Sequence, residues 1–216
     1  MKGTINMNHA KCYVQGYPRI QFVRKSFLNL NGLWDFAFLN DDISSYDISK
    51  IDFDKKIKVP YAYQSPLSTI GDTTYHKCVG YKKVFNYNRT EEKDLLLHFE
   101  AVDYEAFVYL NGKYLGSHKG GYTRFSFDIT KEVKEGENEL IVLVKDGIEA
   151  DKMRGKQSWM KKPWGCWYTE TTGIWRSVWM EEASHTRLSG MRADPIKERD
   201  ALRFEYEIEN YVKGIT

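Results

Sequence analysis

Asn111-Gly112 stands between two short runs, Glu105 to Leu110 and Lys113 to Gly116. The pair supplies the two positive φ angles of a type I′ turn, so it dictates a tight β-hairpin. The pattern of short strands and turns continues on both sides. Trp34, Phe36 and Phe38 alternate onto one face, as do Leu95, Leu97 and Phe99. Lys56 to Val59 is a strand stopped by Pro60. Gly80 to Tyr87, Arg124 to Ile129, Glu139 to Lys145 and Gly173 to Glu181 read as further strands. Gly136-Glu137-Asn138 reads as a turn, and Tyr61 to Lys77 as a long loop. No window holds a helical period beyond about two turns. Many short strands with turns between them imply an all-β β-sandwich or jelly roll rather than a parallel α/β sheet.

The two ends differ from this body. Residues 1–25 lack periodicity and are expected to form an extended arm, with Tyr17-Pro18-Arg19 disfavouring helix. Residues 26–183 make the sandwich. In 184–216, His185 to Met191 and Ala201 to Glu209 read as a hairpin, joined through turns at Ala193-Asp194-Pro195 and Lys197 to Asp200. An isolated hairpin is marginal in water. The segment is therefore expected to begin a second β-domain, the alternative being an edge hairpin packed on the first.

Five of the six tryptophans lie between Asp146 and Glu182. Asp146 ends the apolar strand Leu140–Val144 and opens a long polar and aromatic loop. Such loops are uncommon in compact domains and are usually functional. The candidate binding residues are Asp146, the donor-rich Arg154, Lys156 and Gln157, and the flat apolar faces of Trp164 and Trp167. Asp146 is the sharper candidate, the alternative being a loop aspartate that caps a turn. Arg154, Lys156 and Gln157 suit sugar hydroxyls, an acidic sugar, a solvated loop or a domain seam. Trp159 joins Trp164 and Trp167 as a stacking candidate, whereas Trp175 and Trp179 share a strand face and suit core or seam.

Charge excludes other classes. The 32 basic and 30 acidic residues leave a formal +2, not the clustered basic excess of a nucleic-acid binder. Lys161-Lys162-Pro163-Trp164 is too short to alter that. No apolar run is long enough to span a bilayer. Cys12, Cys78 and Cys166 are too few and too scattered for a disulfide framework or zinc site, which suits free thiols. No apolar signal segment is visible near the start, so a cytoplasmic location is expected and the Asn88-Arg89-Thr90 sequon is read as chance. His9, His76, His98, His118 and His185 lack metal-ligand spacing, and His98 reads as a polar surface residue. No pair of carboxyls has the setting of a glycosidic acid and nucleophile. Asn138-Glu139 opens a strand and is read as structural, so no residue is assigned to catalysis.

An ordered set of motifs carries a resemblance. Ser26 to Phe36 (SFLNLNGLWDF), Val59-Pro60-Tyr61, Phe99 to Tyr104 (FEAVDY), Val108 to Gly112 (VYLNG), Gly120 to Thr123, Phe127 to Thr130, Gly136 to Asn138 and Thr172 to Arg176 (TGIWR) follow one another. Together they resemble the N-terminal sugar-binding domain of glycoside hydrolase family 2, most of all its β-galactosidases. The resemblance implies a jelly-roll, galactose-binding-like domain, with His185 onward similar to the start of an immunoglobulin-like domain. It further implies a catalytic (β/α)8 barrel downstream, a carbohydrate substrate and a homo-oligomeric full-length enzyme. An aspartate at the place of Asp146 would reach into the barrel's pocket near a bound cation. No cofactor is expected in this segment, while a divalent or monovalent cation is possible in the full-length enzyme. The expected role is a non-catalytic wall of the substrate pocket. A stand-alone lectin-like carbohydrate-binding module, or a sandwich serving only protein contacts, are the alternatives.

Overall fold

The structure, a computed structural model, describes residues 22–24, 26–40, 43, 47–89, 93–149, 151–160 and 162–211. Most of the expected arm, with His9 and Cys12, lies outside the described residues, as do Thr90 of the sequon, Lys161 and residues 212–216.

Two antiparallel sheets face each other. The first has six strands in the order β3 (Lys55–Val59), β2 (Gly32–Leu39), β4 (Cys78–Tyr87), β10 (Gly136–Lys145), β7 (Glu105–Leu110) and β8 (Lys113–Lys119). The second has four: β1 (Phe27–Asn29), β12 (Val178–Ala183), β5 (Asp94–Phe99) and β9 (Phe125–Asp128). The non-sequential order is that of a jelly-roll sandwich. The alternating faces meet in the core, where Trp34, Phe36, Leu95, Leu97, Phe99, Val108, Val142 and Met180 are buried together. Trp34 donates its indole N–H to the Leu30 carbonyl at 2.7 Å and meets Tyr81 edge-on. The unbroken apolar run of β10 is explained by its central place. Leu140, Val142 and Val144 face the main core, while Ile141 and Leu143 pack beneath Ile43, Ile48, Ile51 and Phe53 on the opposite face.

Asn111 and Gly112 have φ of 52° and 80°, as the hairpin reading requires. Gly136-Glu137-Asn138 is not a free turn but the start of β10. Asn138 is buried there and bonds Lys134, Gly136 and Asn111, with its carbonyl oxygen 2.9 Å from the Asn111 amide. This is the structural role expected of it.

The reading of Gly173 to Glu181 as one strand is corrected. The segment divides into β11 (Gly173–Ile174), which pairs with β6 (Val102–Asp103), and β12 in the four-stranded sheet. Trp175 lies between them and donates to the Gly121 carbonyl at 2.8 Å, so it does not share a face with Trp179. Trp179 is on the outer side of the four-stranded sheet, stacked on His98 at 4.3 Å. His98 is accordingly not a surface residue. It is buried between Trp179, Ser126 and Glu181, bonding the latter two at 2.6 and 3.2 Å.

The hairpin of β13 (Arg187–Ile196) and β14 (Ala201–Glu209) also departs from expectation. Ala193-Asp194-Pro195 continues β13, and the turn is confined to Lys197–Arg199 and Asp200. Arg187 ties the hairpin to the sandwich, reaching Asp94 on β5 and Glu209 on β14, each at 2.7 Å. Leu202, Phe204, Tyr206 and Ile208 are exposed along β14.

Candidate functional site

The Trp-rich loop leaves the end of β10 at Asp146 and returns at Thr172, just before β11. Its root is a buried polar knot. Asp146 donates its backbone N–H to the Lys77 carbonyl at 2.8 Å, which sets it at the sheet end. One carboxylate oxygen accepts from the Lys152 ammonium and the other from the Thr172 hydroxyl at 2.9 Å. A single side chain therefore clasps the outgoing and returning strands of the loop. Lys152 also lies over the Tyr104 ring, 4.9 Å from its centre. Gln64 accepts from the Thr172 backbone N–H, and Glu170 is buried nearby. Burial, and then the charges of Glu170 and Asp146, push the Tyr75 phenol up to about 12.

The next layer is organised by Gln157. Its amide nitrogen donates to Asp103 at 2.8 Å and its carbonyl accepts from the Thr171 N–H at 2.7 Å. Asp103 is 4% exposed, and burial followed by the charge of Asp146 pushes its carboxyl up to about 6. Between about pH 4 and about pH 6 the folded chain thus holds a proton on Asp103 that the unfolded chain has released. This group lowers stability as pH rises from about 4 to about 6, and the loss persists above that range. Asp103→Asn is expected to stabilise the fold by about 1–2 kcal/mol at pH 7 and by little at pH 4. Urea denaturation of both proteins at the two pH values measures the difference. Arg154 is also consumed by the loop, donating to the carbonyls of Gly147 and Glu149 at 2.8 and 2.7 Å.

The tip is aromatic. Trp164 and Trp167 exchange backbone hydrogen bonds around Gly165, whose φ of +53° allows the tight turn. Trp159 packs against both, at ring separations of 5.6 and 4.7 Å. The tip is tied down by Tyr168, which donates to the Lys156 carbonyl at 2.8 Å and accepts from Ser158 at 2.8 Å. Trp159 and Trp164 nevertheless remain 41% and 47% exposed, and Cys166 is exposed beside them.

The six candidate residues therefore fall into two groups. Asp146, Arg154 and Gln157 turn inward and hold the loop, while Lys156, Trp164 and Trp167 stand at its outer end. The donor-rich patch read as one unit is split by this arrangement. Lys152, Thr172 and Asp103 complete the root; the sequence marks Asp103 and Thr172 only as parts of motifs, and none of the three as a site residue. Their pairing joins β6, the loop's first residues and its last, which no local spacing connects. Among the described residues no group of three or more His, Cys, Asp or Glu could hold a metal ion, and no helix is long and apolar enough to cross a membrane. A crevice of about 180 Å³ beside the root is lined by Tyr104, Lys119, Lys145 and Lys152 among others, but by neither Asp103 nor Asp146.

Comparison with known proteins agrees with this architecture. Residues 27–183 match the model of the family described as glycosyl hydrolases family 2, sugar binding domain. A β-galactosidase of Thermoanaerobacter pseudethanolicus is 31% identical over 170 residues, covering 76% of this chain and 22% of that protein. A β-glucuronidase of Bacteroides fragilis is 32% identical over 127 residues, covering 57% and 17%. In fold, the chain is similar to the Bifidobacterium dentium β-glucuronidase solved with coumarin-3-O-glucuronide, at a TM-score of 0.65 and 22% identity over 80% of this chain and 33% of that one. A Ruminococcus gnavus β-glucuronidase with D-glucaro 1,5-lactone gives 0.69 and 18% over 86% and 34%. The chain thus spans about a fifth of the length of the curated relatives it matches.

Proposed function

Because the chain belongs to the sugar-binding domain family of the family 2 glycosyl hydrolases, we propose that it serves a retaining β-glycosidase as a non-catalytic domain and forms one wall of its substrate site. The observation that carries this reading is the loop of residues 146–172. A buried root anchors it to the sandwich while its aromatic tip is left open. A large exposed aromatic patch marks an interaction surface, and flat indole faces suit sugar rings. Lys156, Trp164 and Trp167 would make the contacts, with Asp146, Arg154 and Gln157 holding them in place. The reading extends to galactosides and glucuronides alike, since relatives of both names are similar to this chain.

The β13–β14 hairpin is proposed as the start of an immunoglobulin-like domain, 184–216, following the sandwich of 26–183 and the arm of 1–25. Its exposed row of Leu202, Phe204, Tyr206 and Ile208 supports this, because such a face calls for a covering sheet. A downstream (β/α)8 barrel would supply the acid and nucleophile and any cation. The free thiols of Cys78 and Cys166 favour a reducing, cytoplasmic setting. Assembly as a homo-oligomer rests on family resemblance alone.

The test is kinetic. In a polypeptide that continues through the barrel, Trp164→Ala combined with Trp167→Ala is expected to raise KM for an oligosaccharide β-glycoside about tenfold. kcat should change less than twofold, as for contacts made equally in ground and transition states. Unchanged KM would remove the tip from the substrate site.

A further inference from the structure

A second cluster of reactive side chains lies away from the loop, on the outer face of the four-stranded sheet. β5 pairs with β9 on one side and β12 on the other, which sets His98 opposite Ser126 and Trp179. Glu181, two residues beyond Trp179, lies on the same face. The Ser126 hydroxyl oxygen is 2.6 Å from His98 Nδ1, and Glu181 Oε1 is 3.2 Å from His98 Nε2. Glu181 is 1% exposed and ion-paired with Arg24 at 3.3 Å. An ionised carboxylate only accepts, so the imidazole proton sits on Nε2 and Nδ1 is left to accept from Ser126. Trp179 is fully buried and stacks on the ring at 4.3 Å, which holds it in that orientation. Ser126 itself is exposed. With His98 and Arg124 it lines a cavity of about 370 Å³ between the sheet and the β13–β14 hairpin.

We infer that Ser126, His98 and Glu181 form a nucleophilic site that cleaves short-chain carboxylic esters. A hydroxyl hydrogen-bonded to a base that a carboxylate orients is the arrangement of an activated serine, in whatever order the residues occur along the chain. Ser126 Oγ bonds to the acyl carbon, and its proton passes to His98 Nδ1. The tetrahedral adduct expels the alcohol, which takes that proton. Water then attacks the acyl-serine and gives a proton to Nδ1. The second adduct releases the acid, and the proton returns to Ser126 Oγ. Glu181 is the positioning residue, and its charge stabilises the imidazolium in both halves. The negative oxygen of each adduct needs a donor. Arg24 and Arg187 are held by Glu181, Asp94 and Glu209. The role therefore goes to Arg124, exposed two residues before Ser126 and lining the same cavity. The cavity is at the small end of ligand sites, which suits a short acyl group.

Two measurements on the chain itself test this. p-Nitrophenyl acetate reports turnover. A fluorophosphonate, whose phosphorus bonds the nucleophile and loses fluoride, identifies that nucleophile by peptide mass mapping. The chain is expected to release p-nitrophenolate with saturation kinetics and to carry the phosphonyl group on Ser126. Ser126→Ala, at an exposed position, should lower kcat on the order of a hundredfold and abolish the label. Glu181→Gln can present an N–H to Nε2 and so favours the unproductive tautomer. It should lower kcat at least about tenfold with KM unchanged, which a loss of packing alone would not do. Arg124→Gln should lower kcat about tenfold. A rate that persists in Ser126→Ala, or a label on lysines or the exposed Cys166 with none on Ser126, would overturn the assignment. The three side chains would then be a cross-strand polar network that only holds the sheet.

Discussion

Asp146→Ala is expected to destabilise the chain by about 3–5 kcal/mol, the cost of leaving a buried charge without its partner. Asp146 and Lys152 have side chains only 6% exposed. Removing the carboxylate strands the Lys152 ammonium next to Tyr104 and deprives the Thr172 hydroxyl of its acceptor. The loop then loses a side chain that touches both of its ends. Urea unfolding should report the stability loss. Limited proteolysis should show new cleavage between residues 147 and 171, and tryptophan emission should shift to the red. Asp146→Asn keeps an acceptor for Thr172 but not the charge, so it should remain well below wild type. Asp146→Ala with Lys152→Met should recover much of the loss, because the stranded charge is gone. A loss under about 1 kcal/mol for Asp146→Ala would mean that the clasp contributes little.

The second large effect is expected at the other end of the loop. Gly173 has φ of +102°, and a Cβ there would lie 1.9 Å from the Tyr81 hydroxyl oxygen. Tyr81 is fully buried, packs against Trp34 and Phe36, and accepts the Ile174 backbone N–H at 3.2 Å. It has no room to retreat. Gly173→Ala is expected to cost about 2–5 kcal/mol, combining overpacking with positive-φ strain. Gly165 provides the contrast at the tip. Its φ is also positive, at +53°, but no atom lies within 4 Å of a Cβ built there. Gly165→Ala should therefore cost only about 1 kcal/mol of backbone preference. Thermal unfolding of the two variants side by side checks the ranking, and equal losses would refute the packing explanation.

The fold was legible where local chemistry determines it. Asn111-Gly112 specifies its own turn, and the alternation of Trp34, Phe36 and Phe38 specifies which side of β2 is buried. The reading failed where partners are remote in sequence. Gly173 to Glu181 looks continuous, yet the chain changes sheets within it, pairing first with β6 and then with β5, partners about 70 to 90 residues away in sequence. His98 reads as a surface residue until Trp179 and Ser126 come to lie against it. Pro195 looks like a stop, but β13 runs through it within a two-stranded hairpin. The site was legible in outline only. Asp146 and the tryptophans were singled out by composition and position, whereas the inward turn of Arg154 and Gln157 depends on Gly147, Glu149 and Asp103. Lys152 carries no signal of its own, and Thr172 only that of the TGIWR motif, which says nothing of Asp146. Their importance comes from the loop's closure, which brings residues 146 and 172 together.

The proposed division of labour between this chain and a downstream catalytic barrel is tested most directly by hydrolysis itself. The purified chain and a polypeptide continuing past Thr216 through the proposed barrel are assayed together on aryl β-galactosides and aryl β-glucuronides. The account predicts turnover only by the longer polypeptide and none by the chain alone. Reproducible hydrolysis by the chain alone, lost on substituting one of its own carboxylates, would contradict it.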